Sequence, residues 1–171
     1  MPMEQTDLDN SKKDTLLLFF DVCARIEAMT AELYHYYSEL FQDDADVAQL
    51  WKKTALEEEN HQRQFELAIR LYDDAEFELK ADLVRTHRIY HKLKNLLEHV
   101  RTTPPDMETA FSKAIELEEY LASLHMDSSV HFGNPSIQKM FQSFSDFDQD
   151  HVKALRHQLA VIQLPKAVMV G

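Results

Sequence analysis

A chain of 171 residues, 44% of them hydrophobic, is long enough for one domain with a sizeable core and gives little reason to seek two. Its formal charge of −12 argues against nucleic acid or an anionic membrane as a partner, since either surface would repel it. A single cysteine, Cys23, excludes an internal disulfide framework and any four-cysteine zinc or rubredoxin-type site.

Residues 1–12 are polar and read as a disordered leader without the apolar stretch of a signal peptide. No later apolar run approaches the roughly 18 to 20 residues of a spanning helix, so the expected location is cytoplasmic. With only 2 glycines and 5 prolines, the rest should form long helices with short connections. Apolar residues at three-and-four spacing predict helix A from about Lys13 to Phe41 and helix B from about Asp44 to Tyr72. A helical crossover follows, roughly Leu79 to Val100. Thr103-Pro104-Pro105-Asp106 reads as a start signal with Thr103 as cap, Pro104 in the first helical position and Asp106 closing a capping-box-like pair. Helix C runs from there to about Val130. Gly133 and Asn134-Pro135 stop one helix and start the next, and helix D continues to about Gln163 before Pro165 ends it. The expected domain is therefore 13–163, followed by an apolar tail, 164–171, that is a candidate subunit contact in a homo-oligomer, in the simplest case a dimer.

Each long helix has one inward seam. Helix A presents Phe20, Cys23, Glu27, Thr30, Tyr34, Tyr37 and Phe41, and helix B presents Trp51, Thr54, Glu58, His61, Phe65, Ala68 and Tyr72. Helix C presents Phe111, Ala114, Glu118, Leu121, His125 and Ser128, and helix D presents Phe141, Phe144, Asp148, His151, Leu155, Gln158 and Ile162. Every seam is apolar at its flanks and carries a carboxylate near its middle. Four buried unpaired carboxylates would each cost several kcal/mol, so a shared cation is expected.

Two of the four have a histidine three residues on, Glu58-x-x-His61 and Asp148-x-x-His151, which places both groups on one helix face. Glu27 and Glu118 stand alone. The intervals from Glu27 to Glu118, Glu58 to Asp148 and His61 to His151 agree to within one residue, as two related helical hairpins would give. Four carboxylate charges balance two divalent ions, and oxygen-rich ligation with one imidazole per ion favours iron or manganese over thiol-loving metals, although affinity alone leaves zinc open.

In ferritin-like carboxylate proteins a Glu from each of two helices and a Glu-x-x-His from each of the other two bind a metal pair. This chain resembles them over roughly residues 13–162, and within that superfamily it is similar to the rubrerythrin-like branch. The resemblance rests on Glu27 with Tyr34 seven residues later, on Ala55-Leu56-Glu57-Glu58-Glu59-Asn60-His61, and on Ala114-Ile115-Glu116-Leu117-Glu118. It implies an all-α, ferritin-like four-helix bundle with a long crossover between its hairpins. It also implies two iron ions on Glu27, Glu58, His61, Glu118, Asp148 and His151, with Glu58 and Asp148 bridging and Tyr34 nearby. The implied activity is a diiron oxidoreductase using peroxide or dioxygen and an external electron donor. A ferroxidase that handles iron, or a metal-binding bundle without turnover, are the alternatives.

The chain departs from that pattern in three places. Asp148 replaces the usual glutamate, His125 stands where a second tyrosine would repeat Tyr34, and Leu121 and Ala122 occupy the turn where rubrerythrins carry an additional glutamate. His125 is expected to be a core histidine bonded to backbone, with a group beside the metals or an alternative ligand as the other readings. Cys23 is expected to be a small buried residue. Glu57 and Glu59 are assigned to the surface, and His87 with His91 to a solvated helix face.

Overall fold

The computed structural model describes the backbone of residues 3–71, 83–129 and 135–164, with side chains for 13–70, 83–127 and 135–164. The apolar spacing is realised as five helices: α1 Met3–Leu40, α2 Ala45–Leu71, α3 Leu83–Thr102, α4 Met107–Ser129 and α5 Pro135–Ile162. The described residues contain no strand, and no helix among them is long and apolar enough to cross a membrane. Expected boundaries at 72–82, 130–134 and 165–171, including the tail, lie outside the described residues, as do the seam side chains of Tyr72 and Ser128.

Two boundaries differ from the sequence expectation, each for a local reason. Helix α1 begins at Met3 rather than near Lys13, and so runs through most of the segment expected to be a disordered leader. No glycine or proline interrupts residues 3–12, and extending an existing helix is far less costly than starting one. The cap of α4 is Asp106, not Thr103: Asp106 Oδ1 accepts from the Thr109 N–H at 2.7 Å. The Thr103 N–H instead donates to the His99 carbonyl at 2.8 Å and closes α3. Pro105 disfavours the helical conformation at Pro104, so the helix can start only beyond the pair. Helix α2 begins as expected, with Asp44 Oδ1 accepting from the Val47 N–H at 3.1 Å.

Helix α1 lies along α2, and α4 along α5; α3 covers α1, and α2 meets α5. The face that α3 turns inward carries Thr86, Ile89, Leu93, Leu97 and Val100, and the Tyr36 hydroxyl donates to the Val100 carbonyl at 2.9 Å. The core falls into two apolar clusters. One gathers Tyr34, Tyr37, Trp51, Phe111 and Leu155 with the buried face of α3. The other gathers Leu16, Phe19, Phe20, Phe65, Phe141 and Phe144. Along α1 and α5 the chain passes from the phenylalanine cluster to the tryptophan cluster, and along α2 it passes the other way. Between the clusters each seam crosses its carboxylate, so the polar residues share one layer walled off on both sides.

Trp51 is fully buried, with ring centroids of Phe111, Tyr37 and Tyr34 at 4.5, 5.0 and 5.3 Å. Trp51→Ala should therefore lower unfolding stability by about 3–5 kcal/mol. Urea denaturation of both proteins measures this, and a loss below about 1 kcal/mol would mean that this cluster does not hold the hairpins together.

Candidate metal centre

All six residues expected to ligate metal are buried: Glu27 on α1, Glu58 and His61 on α2, Glu118 on α4, Asp148 and His151 on α5. Five of them form two triads whose ligand atoms lie within 4.8 Å of one another, Glu27–Glu58–His61 and Glu58–Glu118–His151. Glu58 belongs to both. Its Oε2 lies 3.1 Å from His61 Nδ1 and its Oε1 2.9 Å from His151 Nδ1. The remaining edges are His61 Nδ1 to Glu27 Oε2 at 3.7 Å and His151 Nδ1 to Glu118 Oε2 at 3.5 Å. Asp148 stands outside the triads, with Oδ2 held by His125 Nδ1 at 2.6 Å.

Hydrogen bonding divides the atoms of this layer into two sets. Some are held: Glu118 Oε1 accepts from the Tyr34 hydroxyl, and the His151 Nε2–H donates to Glu57 Oε2 at 2.7 Å. Others have no hydrogen bond at all. Nine buried side-chain atoms among the described residues are in that state, and seven belong here: both Glu27 oxygens, Glu58 Oε1, Glu118 Oε2, Asp148 Oδ1, His151 Nδ1 and His125 Nε2. Native interiors leave few polar atoms unpaired, so such a concentration in one layer requires an explanation. Several of these atoms are close to one another yet not hydrogen-bonded, which is the disposition of donor atoms around a common cation.

Two placements differ from the sequence expectation, and a third contact could not be read from it. His125 bonds Asp148 rather than backbone, and its Nε2 lies 3.2 Å from Glu27 Oε1. Glu57 is half-buried and pinned to His151 rather than assigned to solvent. Its signal was present in chemistry rather than pattern: an imidazole ligand normally donates its second N–H to an acceptor, and Glu57 neighbours the seam. Tyr34 meets the carboxylate of the opposite hairpin, not that of its own helix.

Other side chains in and around the layer have local partners or stand apart from it. Thr30 and Thr54 donate to the Ile26 and Leu50 carbonyls of their own helices at 2.9 and 3.0 Å, which occupies their hydroxyls. Leu121 is buried one turn from Glu118, whereas Glu116 and Glu119 are exposed and face Lys113 and Arg156. Cys23 is buried, and burial pushes its thiol up. His87 Nδ1 bonds the Leu83 carbonyl of its own helix at 2.9 Å, and His91 is exposed.

The electrostatics of the layer show how the charges balance without a cation. Burial opposes a charged imidazole at His61, but Glu27 and Glu58 outweigh it and raise its pKa to about 10. Burial is likewise outweighed at His125 by Asp148 and Glu27, and at His151 by Glu118, Glu57 and Glu58, so both lie well above the ordinary range. Glu27 is held down to about 2, with His125 and His61 overcoming burial. Glu118 is pushed up to about 7 by burial and the neighbouring Glu58 charge. Burial and the Glu118 charge keep the proton on the Tyr34 hydroxyl. Protons on the imidazoles thus occupy the place that cations would take.

A cavity of about 320 Å³ beside α2 is lined by Glu57, Asn60, His61, Arg63, Gln64, Leu67 and Phe147, so His61 forms the wall between the surface and the cluster. Comparison with family models, with curated proteins and with solved structures finds no match.

The metal-free protein should lose stability as pH rises. The contribution of His61 is complete below its ordinary pKa of 6.5 and vanishes as pH climbs through about 10. That of Glu27 is complete above 4.5 and vanishes as pH falls through about 2. In chelator, stability should peak between these ordinary values and decline on the alkaline side by on the order of 2–4 kcal/mol. Denaturant unfolding across that range is the measurement, and a flat profile from pH 6.5 to 10 would contradict the assignment.

Proposed function

We propose that this chain is a ferritin-like four-helix bundle that works as a rubrerythrin-like diiron oxidoreductase, reducing peroxide or dioxygen. The observation that carries the proposal is the set of seven buried atoms without hydrogen bonds around two triads that share Glu58. Glu27, Glu58 and His61 would hold one ion, and Glu58, Glu118 and His151 the other, with Asp148 Oδ1 a further donor. Carboxylate oxygens with imidazole suit iron or manganese, and four carboxylates neutralise two divalent ions. When bound, a pair of ferrous ions supplies reducing electrons to the oxidant.

The surrounding residues prepare the site for that chemistry. Tyr34 fixes one Glu118 oxygen, so that Oε2 is the one left free. Glu57 fixes the His151 tautomer, with the proton on Nε2 and the lone pair on Nδ1. The two apolar clusters keep bulk water from the layer, while the cavity beside His61 gives a small oxidant a way in. Cys23 stands alone among apolar side chains, so electrons come from a separate donor or from ferrous iron itself.

A second reading, ferrous iron oxidation for storage, is favoured by Leu121. This buried side chain offers no ligand where a rubrerythrin has an additional glutamate. The two readings separate by rate: turnover with peroxide and a reductant against turnover with excess ferrous iron and dioxygen. A protein active in neither would be a structural metal bundle.

Anaerobic titration should give two ferrous ions per chain, and Glu118→Ala should lose at least one of them. Two ions bound at unchanged affinity in that variant would refute the centre. With Leu121 apolar, the reduced protein should react with both dioxygen and peroxide and lack a strong peroxide preference. Leu121→Glu should raise the peroxide rate selectively. Stopped-flow oxidation of both proteins decides this, and an unaltered protein that already prefers peroxide by orders of magnitude would refute the role given to Leu121.

A further inference from the structure

We propose that His125 is a metal ligand, its Nε2 binding the ion held by Glu27, so that this ion carries two imidazoles and its neighbour one. The inference rests on the paired metal centre described above and extends it by a seventh residue.

His125 has the same arrangement as His151. One ring nitrogen of each is held by a carboxylate: His125 Nδ1 by Asp148 at 2.6 Å, and His151 Nε2 by Glu57 at 2.7 Å. A carboxylate at that nitrogen fixes the proton there and leaves the lone pair on the other, as in carboxylate–histidine–metal arrangements. In both residues that other nitrogen is buried, lacks a hydrogen bond and faces carboxylate oxygens. For His151 these belong to Glu58 and Glu118, and for His125 the oxygen is Glu27 Oε1 at 3.2 Å.

A clamp role for His125, spanning Asp148 and Glu27 by two N–H bonds, fits less well. Such a clamp needs the Nε2–H aimed at Glu27 Oε1, and at 3.2 Å the pair does not have the geometry of a well-aligned hydrogen bond. Two atoms bound at right angles to one cation, each at about 2.1 Å, lie about 3 Å apart without pointing at one another. The His125 ring is fully buried, with the Phe144, Phe65 and Phe141 ring centroids at 5.4, 5.9 and 6.2 Å.

The inference also explains a break in the internal symmetry. Tyr34 and His125 each follow the lone glutamate of their hairpin by seven residues, and each reaches the lone glutamate of the other hairpin. A phenol that keeps its proton can only donate to Glu118. An imidazole in the matching place brings a lone pair to Glu27. The two metal positions are therefore unequal, with one richer in nitrogen.

Cobalt(II) added to the metal-free protein tests this without turnover. The unaltered, ¹⁵N-histidine-labelled protein should take up two ions per chain. Its strongly shifted ring N–H resonances should include one from His125 Nδ1, protected by Asp148. His125→Gln should lose that resonance and weaken one ion by about 10- to 100-fold while the other stays. Two ions bound with no shifted His125 resonance would overturn the assignment and leave the paired centre standing, as would undiminished affinity in the variant. Fewer than two ions in the unaltered protein would overturn the centre itself. The resonance is read on the unaltered chain, so the test survives a variant that fails to fold.

Discussion

Taking a carboxylate out of water costs several kcal/mol even after the surroundings relax, and this fold does so four times within one layer, at Glu27, Glu58, Glu118 and Asp148. Everything near that layer answers to the need to neutralise it. Three imidazoles face the carboxylates, a tyrosine donates to one of them, and the half-buried Glu57 is drawn in to hold an imidazole. The imidazoles there favour the protonated form, because the carboxylates around them outweigh burial.

The apolar clusters on either side give the layer its low dielectric and hence its strength. The Phe65, Phe141 and Phe144 rings close one side, Trp51, Tyr34 and Phe111 the other. A contact of 3 Å between charges is worth far more there than at the surface. The exposed pairs, such as Lys153 with Asp150, contribute little by comparison. The cavity beside His61 is small, and Leu67 and Phe147 form part of its wall.

The free atoms of the layer are selected by hydrogen bonds to the atoms beside them. Tyr34, Glu57 and Asp148 each occupy one atom of a neighbour and thereby decide which atom is left free. The groups that reach across differ between the two hairpins, a phenol from α1 to Glu118 and an imidazole from α4 to Glu27.

The sequence by itself determined the helices, the inward seams and the six residues expected as ligands. Helical spacing places residues three and four apart on one face whatever their neighbours are, and four carboxylates in apolar seams admit few explanations. The start of α2 near Asp44 was likewise a local matter, whereas the α4 cap moved from the expected Thr103 to Asp106 through proline sterics. Tertiary structure alone decided which atoms meet. That Glu58 rather than Asp148 joins the two triads, that His125 turns to Asp148 and Glu27, and that Glu57 faces His151 all depend on how α5 and α4 sit against α2 and α1. A seam fixes the depth and face of a side chain along its own helix, but rotation of one helix against the next selects its partner, and no interval within the chain encodes that rotation.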